Sequence, residues 1–245
     1  MKTTVGIDLA AEPKGTAIAA VSWHDGAAVV ETLLTGCGDD IVLHWMHHPS
    51  EAVGIDCPFG WPAKFVDLVS QHSARTLQVS PDLRAGWRRE YVLRATDRWV
   101  HDNLGLVPLS VAADRIGHTA IRLAALIARL GDHVRSPLDG SGALAEVYPA
   151  AALKTWGLPH RAYKRGVNAA GRNALVDEIQ AVAPWLELGE HESTVRASDD
   201  ALDAVVCALI SRAVTRGLTQ PPEDVTLALI EGWIHVPTRP IEDLR

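Results

Sequence analysis

The sequence predicts an α/β domain: a mixed five-stranded sheet flanked by helices, with an insertion after the fourth strand. Three observations predict it. The chain opens with three β-like runs separated by short turn signals, the pattern of consecutive hairpins. Helical and strand periods then alternate. The tetrapeptide Val5-Gly6-Ile7-Asp8 recurs as Val53-Gly54-Ile55-Asp56, so one strand motif is used twice.

Thr3–Leu9 alternates Val5, Ile7 and Leu9 against Thr4, Gly6 and Asp8, a strand period. Glu12-Pro13-Lys14-Gly15 turns the chain into Thr16–Trp23, and His24-Asp25-Gly26 turns it again into Ala28–Leu34. A helix over Asp39–His48 stops at Pro49, and Glu51–Cys57 is the fourth strand, ended by Pro58. Ala63–Val79 reads as a helix. Pro81–Leu106 is less periodic and richer in arginine and tryptophan, which marks a lid or insertion at about residues 80–108 of a single domain spanning 1–245. Leu109–Leu130 carries the clearest helical stripe, in Ile116, Leu123, Ile127 and Leu130. A linker over Ser136–Gly142 leads to a short fifth strand, Leu144–Tyr148, and a helix over Ala150–Trp156. Further helices cover Ala170–Ala183 and Ser198–Arg216, and Leu227–Val236 reads as extended. Three hairpin-linked strands, then helix–strand–helix–strand–helix, is the element order of a ribonuclease H-like sheet; a dinucleotide-binding fold does not begin with two hairpins.

Composition narrows the function. With 47% hydrophobic and 22% charged residues the chain can bury a sizeable core. A formal charge of −7 provides no bulk attraction for nucleic acid, so any phosphate contact must come from local basic clusters or bound metal. Cys37, Cys57 and Cys207 are far apart, which excludes a cysteine zinc site and favours a reducing compartment. Neither a membrane span nor a signal-peptide core is legible, so the expected location is the cytoplasm; oligomeric state is not readable.

The repeated tetrapeptide carries the chemistry. If its two strands are parallel neighbours in matching register, Asp8 and Asp56 stand side by side, about 4.8 Å apart. Their glycines then leave room on the same face for a helix or a substrate. Two such carboxylates raise each other's pKa values unless a cation lies between them, although either alone could cap a turn. Glu146, within Leu144–Tyr148, and the acids of Ser198-Asp199-Asp200-Ala201-Leu202-Asp203 are candidates to complete the site. Ser198 suits an N-cap, and Asp199 and Asp200 then favour the helix dipole. Asp203 lies on the stripe of Leu202, Val205, Val206 and Leu209, where a buried carboxylate needs a cation. Asp8, Asp56, Glu146 and Asp203 are the catalytic candidates, and with Asp200 they are the metal ligands. An oxygen-rich set suits Mg²⁺ or Mn²⁺, and two such ions could activate water and stabilise the leaving oxygen of a phosphodiester.

Arg84, Arg88, Arg89, Arg94 and Arg98 are interleaved with Trp87, Tyr91 and Trp99, a pattern that can clamp phosphate and stack bases or merely anchor the insertion. Arg94, Thr96, Asp97 and Lys164 are the substrate-contact candidates; Asp97 could instead pair with Arg94. Arg161, Tyr163, Lys164 and Arg165 form a second basic patch, of the kind that usually faces solvent. His44 and His48 have a helical metal-ligand spacing but fit a solvated helix end better.

Taken together, Gly6–Ala10, Gly54–Pro62, Arg94–Asp97, Glu146–Pro149, Asp199–Ala204 and Glu231–Pro237 resemble the predicted-nuclease family catalogued as domain of unknown function 429. The resemblance implies a ribonuclease H-like fold and a nuclease activity that is itself a prediction for the family. Asp200-Ala201-Leu202-Asp203-Ala204 is also similar to the helix acids of RuvC-type resolvases, with Asp8 matching their first-strand aspartate. The expected function is a metal-dependent phosphodiester hydrolase acting on nucleic acid or another phosphodiester. The alternatives are a non-catalytic binding module on the same scaffold and an ATP-dependent phosphotransferase. The last lacks support, because Leu9-Ala10-Ala11-Glu12 offers no glycine for a phosphate loop.

Overall fold

Alternation along Lys2–Asp8 (β1) sends Val5 and Ile7 to one face, and Thr4, Gly6 and Asp8 to the other. In the computed structural model, which describes residues 2–78, 86–131 and 136–245, this strand lies inside a mixed sheet. Ala17–His24 (β2) runs antiparallel to β1, and Ala27–Thr35 (β3) antiparallel to β2. After helix α1 (Asp39–Met46) the chain returns as Ala52–Asp56 (β4), parallel to β1. Helices α2 (Ala63–Ser73), α3 (Arg89–Val92), α4 (Ala95–Leu104) and α5 (Ile116–Arg129) precede Leu144–Glu146 (β5), which is parallel to β4. Then follow α6 (Pro149–Thr155), α7 (Ala169–Val182), the strand Leu186–Glu187 (β6), α8 (Glu192–Ala197), α9 (Asp199–Thr215) and α10 (Val225–Glu231). The strand order is β5-β4-β1-β2-β3-β6.

The sheet therefore has six strands among the described residues, not five. β6 is only two residues long and joins β3 through Ala28 and Val29, too short to show a period. Leu227–Val236 is extended only in its second half. Asp224 caps α10 by accepting from Leu227 N–H at 3.0 Å, and the chain straightens afterwards to bridge Ile234 to Glu146. The helix expected from Leu109 begins at Ile116, because Ser110 and Asp114 first close a turn. Val79, Pro81 and Arg84, which belong to the expected second helix and the start of the insertion, lie outside the described residues. No helix among the described residues is long and apolar enough to cross a membrane.

The two faces of the sheet bury different partners. Val5, Ile7, Val53 and Ile55 meet Val42 and Met46 of α1 and Leu123 and Leu126 of α5. The opposite face is covered by α9, in which every residue from Ala201 to Ile210 is buried. A helix apolar on all sides is a central one, and its small residues set how close it comes. A third, smaller cluster joins Val100 and Leu106 to Ala151, Ile234 and Val236, tying the insertion to α6 and the C-terminal segment.

Gly6 and Gly54 are the seam under α9. A Cβ on Gly6 would stand 2.1 Å from the Ala204 carbonyl oxygen and 2.2 Å from the Ala208 nitrogen, and one on Gly54 would stand 2.4 Å from Ser211 Oγ. Two hydrogen bonds sew the contact: Thr4 Oγ1 donates to the Ala208 carbonyl and Ser211 Oγ to the Val5 carbonyl, each at 2.9 Å. The partners of β1 thus run down α9 as β1 rises, so the N-terminus of α9 ends beside the C-terminal ends of β1 and β4. Gly6→Ala is expected to lower unfolding free energy by about 3 kcal/mol, the upper end for overpacking. Gly166→Ala, where an added Cβ meets nothing within 4 Å, should change it by less than about 0.5 kcal/mol in the same urea titration.

Candidate functional site

The register of β1 and β4 pairs Gly6 with Gly54 and Asp8 with Asp56, so the repeated tetrapeptide is aligned residue for residue. Both aspartates sit where the strands end, on the α9 face. From the first turns of α9, Asp203 points back toward the helix N-terminus and meets them. One carboxylate oxygen from each of Asp8, Asp56 and Asp203 lies within 4.8 Å of the others. Ser198 caps the helix by accepting from Ala201 N–H at 3.2 Å, and the positive end of the helix dipole faces the three acids.

Asp203 is buried and has two partners. Tyr163 Oη donates to its Oδ1 at 2.8 Å, and Lys164 Nζ stands 2.6 Å from its Oδ2. The cation expected at Asp203 is therefore present in the protein itself. Asp8 and Asp56 accept no hydrogen bond at their carboxylates among the described residues. Burial, then Asp203 and Asp56, hold Asp8 well above its ordinary pKa. Burial pushes Asp56 up to about 7, against the pull of Lys164. Burial also raises Asp203, opposed by Lys164. At Lys164 itself burial acts downward, but Asp203, Tyr163, Asp56 and Asp8 together outweigh it and hold the ammonium in its charged form.

The loop that presents Tyr163 and Lys164 is tightly built. Ala162 and Arg165 bracket the pair with φ of 58° and 70°, a left-handed conformation that side chains rarely adopt. The buried Arg172 holds the loop, donating to the Tyr163 carbonyl at 3.1 Å and to the Arg196 and Ala197 carbonyls at 2.8 Å each. No spacing in the sequence singles out Tyr163. Its neighbours are charged, so the stretch reads as solvated surface, yet its ring is buried and Lys164 keeps half of its side chain exposed.

A family model described as "Protein of unknown function (DUF429)" matches residues 6–227. The chain belongs to the DUF429 family. Searches of curated proteins and of solved structures return no match. In this DUF429 protein the matched span takes in the glycine seam, all three clustered aspartates, Lys164 and Glu146, and ends before Glu231–Pro237.

Not every candidate of the DUF429 chain joins the cluster. Asp200 is half-buried beside it, raised by burial and by Asp199 and Asp203, but it supplies none of the three clustered oxygens. Glu146 is placed elsewhere, for a reason of register: β5 pairs Glu146 with Ile55, one residue short of Asp56, and so turns it to the other face of the sheet. There both its oxygens accept from Arg94, at 2.7 Å each, and Oε2 also accepts from Phe59 N–H at 2.9 Å. Arg94 spends its remaining donors on Asp97, through Nε at 3.0 Å and Nη2 at 2.9 Å, and on the Glu231 carbonyl at 3.2 Å.

Arg94, Thr96 and Asp97 are buried within this network. Thr96 Oγ1 accepts from Ile234 N–H at 2.9 Å, and Glu231 accepts from Ala63 and Ala95 N–H at 2.7 Å each. The pairing of Asp97 with Arg94 is the alternative that the sequence left open. Of the four substrate-contact candidates, Lys164 alone reaches the aspartates.

Arg94→Met leaves two buried carboxylates uncompensated and should cost about 3–5 kcal/mol in urea unfolding, where a mere ligand contact would cost nothing. The aspartates make a pH prediction with a definite sign. Asp56 has a folded pKa of about 7 against an ordinary 3.8, so between those values the folded state holds a proton that the unfolded chain has released. Its contribution to stability is complete below the lower value and is lost as pH rises through the upper one. The melting temperature of the metal-free protein should fall between about pH 4 and about pH 7, and Asp56→Asn should make that fall shallower.

Proposed function

We propose that this protein is a divalent-metal-dependent phosphodiester hydrolase on a ribonuclease H-like sheet, with Asp8, Asp56 and Asp203 as ligands for Mg²⁺ or Mn²⁺. The carrying observation is the convergence of three carboxylates within 4.8 Å, two of them without any donor among the described residues. Three carboxylates against the single Lys164 ammonium leave an excess of two negative charges, which matches one divalent ion. Hard oxygen donors suit these ions, and a second ion could enter with the charge of a substrate phosphate. The fold reading is supported by two hairpins followed by two parallel strands, and by the site's position at the C-terminal strand ends.

When bound, the metal supplies Lewis-acid polarisation of a phosphoryl oxygen and a water of lowered pKa. Asp8 and Asp56 hold the open side of the cluster, where an attacking water is oriented. Tyr163 keeps Asp203 fixed through Oδ1. Lys164, whose side chain is half exposed, could turn its ammonium from Asp203 to a phosphate oxygen if Asp203 were to hold a metal. Asp200 belongs to the outer part of the same site, and Glu146 serves as the strut for Arg94. The unpaired Cys37, Cys57 and Cys207 are in keeping with a cytoplasmic setting.

A thermal melt with millimolar Mn²⁺ tests the reading. The parent should melt higher with metal and hydrolyse bis(p-nitrophenyl) phosphate, and Asp8→Asn should lose both effects while folding normally. A parent with neither metal response nor turnover would instead be a non-catalytic binding module.

A further inference from the structure

The cluster opens onto a cleft of about 350 Å³ that it does not itself fill. Asp56 and Lys164 line it on the side of the acids. Away from them its walls are apolar or aromatic: Leu109, Ile116, Tyr148, Ala150 and Ile234. Beneath lies the buried network of Arg94, Asp97 and Glu146, whose guanidinium has no donor left to offer. The cleft thus presents the half-exposed Lys164 ammonium beside a largely apolar slot.

We infer that this cleft is a specificity pocket for a single unpaired nucleotide unit, its phosphate at Lys164 and the aspartates and its base in the apolar slot. This rests on the hydrolase reading for the position of the phosphate. The volume lies at the small end of ligand pockets, enough for one planar group. An aromatic base gains from such walls whatever its identity, because every base has an apolar face. A duplex fits poorly on two counts. Its bases are stacked inside, and extruding one costs energy. Its affinity comes from neutralising many phosphates, which a chain of net charge −7 is poorly equipped to do. The unit can arrive as a free nucleotide or as an unstacked residue of a single strand, whose neighbouring phosphates would meet the exposed Arg161 and Arg165.

Calorimetric titration of thymidine 5′-monophosphate and of methyl phosphate, each with and without Mg²⁺, tests the pocket. The full chain should bind the nucleotide about ten-fold more tightly or better, the margin set by burying one base. Ala150→Phe, which fills the slot, should erase that margin. Leu109→Ser should narrow it several-fold, and since Leu109 is 57% exposed the fold is not at stake. Equal affinities for the two phosphates, or a margin that survives both variants, overturns the inference. If Mg²⁺ changes neither affinity while the margin persists and falls in the variants, the pocket stands and the metal reading fails. Octathymidylate binding more tightly than the mononucleotide identifies the strand as the source, and equal binding identifies the free nucleotide. A blunt duplex binding more tightly than either overturns the pocket.

Discussion

The close approach of α9 to β1 and β4 is the contact on which the rest of the molecule depends. It exists because Gly6 and Gly54 have no side chain on that face, so that helix backbone rests on strand backbone. The same contact fixes where the acids meet. Asp8 and Asp56 follow their glycines by two residues and so share their face, while Asp203 lies one residue before Ala204, which caps Gly6. Core packing and site geometry are thus one constraint, and a change that lifts the helix would part the carboxylates as well as open the core.

On the other side of the β4–β5 edge a different principle operates. Arg94 is almost fully buried against two carboxylates, with every donor direction used. Such a network adds little net stability over an apolar core, because desolvating three charges offsets much of their attraction. What it supplies is position. Glu146 comes from β5, Arg94 and Asp97 from the start of α4, and the Glu231 carbonyl from the end of α10, so a sheet edge, the insertion and the C-terminal segment meet in one arrangement. Gly232, with φ of 85°, lets the chain leave α10 without striking Glu146 or Arg94.

The sequence made the central strands and the Asp8–Asp56 pair legible because both rest on a period of two that a repeated tetrapeptide shows openly. It misled at Glu146 by one residue of register. Leu144–Tyr148 reads as a strand in either phase, and only its pairing with β4 decides which side chains face α9. Arg94, Thr96 and Asp97 were legible as important but not as buried, since a composition rich in arginine looks the same in a lid and in an internal ion network. Tyr163 was hidden because its place depends on a loop shape set by Arg172, which comes later in the chain. β6 was too short for any pattern.

The charges in the two halves of the site explain each other. Arg94 satisfies Glu146 completely, so that carboxylate is removed from competition for a cation, although it still raises Asp56 through space. Lys164 satisfies Asp203 only from outside, on a side chain that remains half exposed. The first arrangement is fixed by five donors in a rigid plane, and the second by a flexible ammonium that can leave. A cluster built to stay neutral at rest would use an arginine in both places. Placing the lysine at the aspartates, and the arginine in a network that uses every one of its donors, leaves Lys164 as the exchangeable charge lining the cleft.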